Sequence, residues 1–197
     1  DSALATVSIT IVSVNDAPIA VARAFPAFLF STNDTSTVVI SANGTNAIVV
    51  LDASLSSDIE NDSLQYLWLE GTNVLASEEI ASITFDVGTH IITLNVSDSS
   101  DTGFDNLTLE VITPAQAIAE LISFLNESNL VDKRQRALFA SLNASAASFS
   151  RGQFGAGIKQ LETFQTQVRV LIEPTNPALA EQLLHISGEI LDAVSTD

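Results

Sequence analysis

Oxygen-bearing side chains in three separate stretches are the groups in this sequence with the clearest chemistry. The candidate ligands are Asn15, Asp16, Asp58, Glu60, Asp62 and Asp98. Carboxylate and amide oxygens suit Ca²⁺, a hard cation that takes about six to eight oxygen ligands in irregular geometry. The run Asp58-x-Glu60-x-Asp62 is not an EF-hand loop, because Ser63 stands where that loop requires glycine. A calcium site therefore requires the three stretches to meet in the fold.

The charge balance also favours a cation as partner. The 197 residues include 24 acidic and 7 basic side chains, a net charge of −17. Residues 1–113 hold fifteen of the acids and a single base, Arg23, so this part carries −14. Such a field repels phosphate backbones, which argues against nucleic acid as a partner. The chain lacks cysteine, so it has neither disulfides nor thiolate metal sites, and no apolar run is long enough to span a bilayer.

Motifs for catalysis are lacking, and we predict that the protein is not an enzyme. The two histidines, His90 and His185, fall in a predicted strand and a predicted helix, where a packed or surface role is the usual one. There is no nucleophile elbow, zinc-protease helix or phosphate-binding loop. The glycine-rich residues 152–157 follow a helix rather than a strand, which predicts a turn between helices.

Two hydrophobic periods divide the chain. Up to Thr113, apolar and polar residues alternate, as in 92–96 and 107–111, and turn clusters such as 97–105 separate the strands. Short strands at this spacing indicate an antiparallel β-sandwich. After Pro114 the period becomes about 3.6, which predicts four helices. Thr113 should cap the first helix, and the others should start near Asp132, near Gln153 and after Asn176-Pro177.

Three resemblances cover nearly the whole chain. Leu51 to Asp58, Leu64 to Trp68 and Gly88 to Asp98 resemble a PKD domain, an immunoglobulin-like module of exported prokaryotic proteins. Residues 4–18, ending in Val-Asn-Asp-Ala-Pro, resemble the last strand and linker of a cadherin-like or VCBS-type repeat. Residues 114–194 resemble the helical FIMAH domain. We expect an all-β immunoglobulin-like sandwich (19–113), preceded by that strand and linker (1–18) and followed by a separate small all-α helical bundle (114–197).

The immunoglobulin-like topology places the acidic stretches together. In such a sandwich the chain enters at the end where the loops holding residues 58–62 and 98–105 also lie. Asn15 and Asp16 should therefore meet both loops there, whereas Asp86 and His90 should lie at the opposite end. Several carboxylates brought together repel each other, and Ca²⁺ relieves that repulsion. The alternative is an acidic surface that is simply solvated.

Glycosylation signals and an aromatic cluster complete the candidate residues. Seven N-x-[ST] sequons begin at Asn33, Asn43, Asn61, Asn95, Asn106, Asn126 and Asn143. They indicate a glycosylated, extracellular or cell-surface protein of prokaryotic, for example archaeal, origin, unless a Ser/Thr-rich β surface inflates their number. Phe25, Phe28 and Phe30 should cover the sandwich or the domain junction, or else form an exposed partner-binding patch.

Three functions fit these patterns. The first is a calcium-stabilised, non-catalytic spacer or adhesion module of a larger surface or secreted protein. The second is a filament subunit that donates its N-terminal strand, residues 4–14, to a neighbouring copy, because an apolar strand without a sheet is unstable alone. The third is an accessory glycan-binding module of a polysaccharide-degrading enzyme.

Overall fold

The computed structural model describes residues 14–28, 36–128 and 133–195, with side chains in the second helix described from Gln135. Within these ranges there are eight strands followed by four helices. The strands are β1 (Arg23–Phe25), β2 (Thr37–Ile40), β3 (Asn46–Asp52), β4 (Gln65–Glu70), β5 (Asn73–Ala76), β6 (Ile80–Asp86), β7 (Gly88–Ser97) and β8 (Thr102–Ile112). The helices are α1 (Pro114–Glu127), α2 (Lys133–Ser150), α3 (Phe154–Leu171) and α4 (Pro177–Val194).

The strands form two sheets that enclose one core. One sheet has the order β1-β3-β6 and the other the order β2-β8-β7-β4-β5. All neighbours are antiparallel except β2, which runs parallel to β8. Trp68, the only tryptophan, is fully buried between the sheets, and its Nε1 donates to the Glu78 carbonyl at 3.0 Å. The predicted β-sandwich followed by a helical part is confirmed.

Alternation along β7 and β8 matches the predicted strands, but one loop boundary is wrong. Ile92, Leu94 and Val96 are buried while the residues between them are partly exposed. The predicted turn over 97–105 is in fact only the short loop 98–101, because β8 begins at Thr102 and continues the ladder with β7. Asp105 therefore lies in β8 opposite Leu94 rather than in a loop.

Capping residues fix the starts of α1 and α4 where the sequence predicts them. The Thr113 side chain accepts from Gln116 N at 3.2 Å, and Gln116 Oε1 accepts from Thr113 N at 2.8 Å, a reciprocal capping box. Asn176 caps α4 by accepting from Leu179 N. The start predicted at Asp132 lies outside the described residues. No helix in the described ranges is long and apolar enough to cross a membrane.

The helical part packs directly on one end of the sandwich. Val38 and Ile40 of β2 and Ile112 of β8 belong to the same buried cluster as the helix cores. Phe28 packs against this cluster, and its N–H donates to the Val38 carbonyl at 2.6 Å. The bundle predicted to be separate thus shares hydrophobic packing with the sandwich.

Candidate site at the acidic pole

The segment that enters the sandwich is tied to two distant loops. Asn15 Nδ2 donates to Asp98 Oδ2 and to Asp101 Oδ2, each at 2.9 Å. The backbone N–H of Asp16 lies 3.5 Å from Glu60 Oε2. The three stretches predicted to meet therefore do meet at one end of the sandwich. We call Asn15, Asp16, residues 58–62 and residues 98–101 the acidic pole.

Asp98 is the most buried acid of the pole. It is 5% exposed, and its Oδ1 accepts from the backbone N–H groups of Ser100 (2.7 Å) and Asp101 (2.8 Å). The Asp101 N–H, then the Asn15 amide and the Ser100 N–H lower the pKa of the Asp98 carboxyl, because each stabilises its charged form. Asp98 thus organises its own loop while it holds the entering segment.

Asp58 organises the second loop and keeps one oxygen unpaired. Its Oδ1 accepts from the N–H groups of Glu60 and Asp62, both at 3.0 Å. Its Oδ2 is buried and has no hydrogen-bond partner in the described chain. A buried carboxylate oxygen without a partner is unfavourable, so a ligand that donated to or coordinated this atom would stabilise it.

The pole is not a preformed metal-coordination sphere. Within residues 14–28, 36–128 and 133–195, no three acidic or histidine side chains are grouped closely enough to hold a metal ion. The carboxylates of Asp58 and Asp98 are instead aimed partly at backbone amides. Calcium binding at the predicted ligands therefore stays a prediction, and it would require carboxylates of the pole to come closer together than they are here.

Backbone contacts seat the entering segment along the sandwich. Ile19 and Ser57 exchange two backbone hydrogen bonds, at 2.8 and 3.0 Å. Asp105 Oδ2 accepts from the N–H of Ala22 at 2.8 Å, a positioning role that sequence reasoning missed. Gly103 lets the chain approach β8, since a Cβ at this residue would collide with the Pro18 carbonyl. A glycine inside a strand often marks such a close backbone approach, and this signal could have been used.

The two histidines lie away from the acidic pole. At the opposite end of the sandwich, as predicted, His90 Nδ1 lies 2.7 Å from Glu70 Oε1 and its Nε2 lies 2.9 Å from the Asp86 carbonyl oxygen. Since Glu70 is in β4 and Asp86 ends β6, His90 links the two sheets there. His185 is largely exposed on α4, 3.7 Å from Glu189.

The remaining candidate residues are dispersed. Five of the sequon asparagines are exposed in the described structure: Asn43, Asn61, Asn106, Asn126 and Asn143. Asn95 is half-buried in β7, and Asn33 lies outside the described residues. Phe28 covers the junction with the helices, whereas Phe25 is 44% exposed with the Arg23 guanidinium 5.4 Å above its ring. Phe30 lies outside the described residues, as does most of the proposed donor strand 4–14.

Comparisons with known proteins find similarity to solved structures over about half of the chain. No protein-family model and no curated protein matches it. A solved structure of carbohydrate-binding modules from the β-sandwich superfamily is 24% identical over 51% of this chain and 36% of that chain, with a TM-score of 0.37. A nucleoside hydrolase-related hypothetical protein from Saccharophagus degradans, associated with carbohydrate metabolism, is 20% identical over 49% and 26%, with a TM-score of 0.34. This chain spans about a third and about a quarter of those two chains, and such partial likeness does not extend to ligand or activity.

Proposed function

We propose that this protein is a non-catalytic spacer or adhesion module of a larger extracellular or cell-surface protein, and that Ca²⁺ stiffens its acidic pole. The observation that carries the proposal is the attachment of Asn15 to both Asp98 and Asp101. That attachment fixes the direction in which a preceding segment joins the sandwich. The parallel pairing of β2 with β8 and the two-sheet strand order support an immunoglobulin-like arrangement.

The electrostatics of the pole explain why a cation would matter. Asp98 Oδ2 and Asp101 Oδ2 are both 2.9 Å from the same amide nitrogen, so they lie within about 5.8 Å of each other. Glu60 approaches the adjacent Asp16 backbone, and Asp58 keeps a buried oxygen unpaired. A divalent ion that binds this group would reduce the repulsion and hold the entering segment more firmly.

Calorimetry and thermal unfolding of the whole chain test the proposal. After chelation, added CaCl₂ should bind and raise the melting temperature. At ten times the dissociation constant the stabilisation is about 1.4 kcal/mol, which corresponds to about 3–6 °C for a domain of this size. Asp58→Asn should abolish this calcium-dependent rise, while Asp86→Asn at the opposite end should retain it. A flat titration together with an unchanged melting temperature would refute calcium binding.

Glycan binding is a weaker candidate. Trp68 is fully buried and cannot stack on a sugar ring. In the described part of the chain, the exposed large aromatic residues are Phe25 and Phe104. Binding on a glycan array that is lost in Phe104→Ala but retained in the calcium-site variant Asp58→Asn would favour this function over the spacer.

A further inference from the structure

Strand β6 forms one edge of the three-stranded sheet and, among the residues that the structure describes, pairs only with β3. The hydrogen bonds from Ala53 N to Glu79 O (2.9 Å) and from Val87 N to Thr45 O (2.8 Å) fix the register at its two ends. In an antiparallel ladder the bonded pairs alternate, so the backbone groups of Ile80, Ser82 and Thr84 point away from β3. Within the described chain these outward groups have no backbone partner.

This edge lacks the features that usually block strand addition. β6 is seven residues long, whereas the other outer strands, β1, β2 and β5, have three or four. Its sequence, Ile-Ala-Ser-Ile-Thr-Phe-Asp, contains no proline, glycine or lysine, and its register with β3 has no bulge. Natural proteins usually protect exposed edges with proline, with charged residues, with bulges or with short strands, and the one charge in β6 is Asp86 at its last position. An unprotected seven-residue edge is suited to accept a strand.

The side chains of β6 define what an added strand must look like. Ala81 and Phe85 are buried and Ile83 is half-buried, whereas Ser82 and Thr84 are exposed. A strand that continues this sheet must therefore alternate aliphatic residues towards the core with small polar residues towards solvent.

Residues 4–13 match this requirement by sequence. Val7, Ile9 and Ile11 alternate with threonine and serine, and Ser8-Ile9-Thr10 repeats the Ser-Ile-Thr of residues 82–84. The stretch from Ser2 to Asn15 carries no charge, and neither does β6 before Asp86. In a chain of net charge −17, an uncharged strand meeting an uncharged edge keeps like charges out of the contact itself.

We propose that the free edge of β6 accepts residues 4–13 of a second copy of this chain as an additional strand. A second copy is the favoured donor, because Asn15 is held by the loop between β7 and β8, which belong to the other sheet. Pairing within one chain would require the preceding residues to cross the pole first. Donation from each copy to the next is head-to-tail, and it produces a growing filament when the successive rotations do not close a ring.

Two variants of the whole chain test the two sides of the proposed contact separately, one by blocking the acceptor edge of β6 and the other by blocking the donor strand. Thr84→Pro removes an outward N–H that β3 does not use, so it blocks the edge and leaves the existing ladder intact. Ser82→Pro does the same, should Thr84→Pro not fold, and Thr84→Ala is the matched control. Ile9→Glu places a charge on the core-facing side of the donor, with Ser8→Ala as its control. Circular dichroism must show that each variant is folded.

Sedimentation velocity at rising protein concentration, with chelator present so that calcium plays no part, provides the readout. The unmodified chain should grow beyond a dimer without a limiting size, and added salt should strengthen association by screening the repulsion between copies. Thr84→Pro and Ile9→Glu should each remain monomeric alone. Their mixture should reach twice the monomer mass and stop, because one intact donor then meets one intact edge. Monomeric behaviour of the unmodified chain, association of either variant alone, or a mixture that stays monomeric would each overturn the proposal.

Discussion

Replacing Gly103 by alanine would place a methyl group against the backbone of the segment that enters the sandwich. The nearest atoms to that Cβ are the carbonyl oxygen and carbon of Pro18, which belong to rigid backbone rather than to a movable side chain. The substitution therefore tests whether the entering segment is seated on β8. Gly103 does not adopt a positive φ, so alanine brings no backbone strain of its own.

The stability lost in Gly103→Ala can be bounded by considering two ways in which the structure could respond. If the segment lifts away, it loses the paired hydrogen bonds between Ile19 and Ser57 and the bond from Ala22 to Asp105, at about 0.5–1.5 kcal/mol each. If it stays and strains, overpacking costs about 1–3 kcal/mol. The protein takes the cheaper route, which costs about 1–3 kcal/mol. Alanine also lowers the entropy of the unfolded chain, which stabilises the fold by about 0.4–1 kcal/mol, so we expect a net loss of up to about 2.5 kcal/mol.

Urea unfolding followed by the fluorescence of the buried Trp68 measures this loss. Gly188→Ala is the matched control, because it lies in the interior of α4 and a Cβ there meets no atom within 4 Å. That substitution should stabilise the chain by about 0.5–1 kcal/mol through helix propensity. If Gly103→Ala raised the free energy of unfolding as the control substitution does, the inference that the segment is seated on β8 would be wrong.

Two further predictions concern the pole and the junction. The pKa of Asp98 is lowered in the folded state, so its charge stabilises the fold above about pH 3.8, and this contribution is lost as pH falls below that value. Asp98→Asn should therefore be less stable than the unmodified chain at pH 7, and the difference should shrink in acid. A difference in the free energy of unfolding by urea that does not change with pH would contradict this. Ile40→Ala should lower the free energy of unfolding by about 2–5 kcal/mol, whereas the control Ile48→Ala, at an exposed site, should lower it by less than about 0.5 kcal/mol. In Ile40→Ala the unfolding transitions followed by Trp68 fluorescence and by helical circular dichroism should shift together. Separate transitions by the two probes would mean that the shared cluster does not couple the two parts.

Local signals made most of the fold predictable. The alternation of Ile92, Leu94 and Val96 specifies a half-buried strand, since any shift by one residue would expose all three side chains. Thr113-Pro114 specifies a helix start because both residues act through their own backbone and side-chain chemistry. Such signals depend only on neighbours in sequence.

Contacts between distant residues were less predictable. The four-residue strand β2 pairs with β8 about seventy positions later, and its Ile40 joins the core of the helices. No local periodicity encodes the pairing of β2 with β8 or the packing of Ile40 against the helices. The sequence therefore predicted a sandwich and a helical bundle that were separate from each other. The loop after Ser97 was predicted too long because Asp and Gly usually mark turns, whereas here Gly103 and Asp105 lie in β8 and hold the entering segment.

The location of the candidate site was predictable from the sequence, but the orientation of its side-chain oxygens was not. Strand order alone brings residues 15–16, 58–62 and 98 to one end of the sandwich. It does not determine where each oxygen points, and Asp101, which shares the Asn15 amide with Asp98, was not among the predicted ligands. Which acids accept backbone N–H groups depends on loop conformations, such as the positive φ of Asn61 and Ser99, that the sequence does not reveal.

The join between strand β8 and helix α1 determines how turning motions pass along the molecule. Thr113 alone separates Ile112 from Pro114, and its extended backbone (φ −76°, ψ 158°) is locked by the reciprocal bonds with Gln116. Proline restricts the next φ angle as well. No flexible linker therefore separates the helices from β8, and a rotation of the helices is transmitted as torque to the long β7–β8 hairpin. Asn15 is bound at the far end of that hairpin.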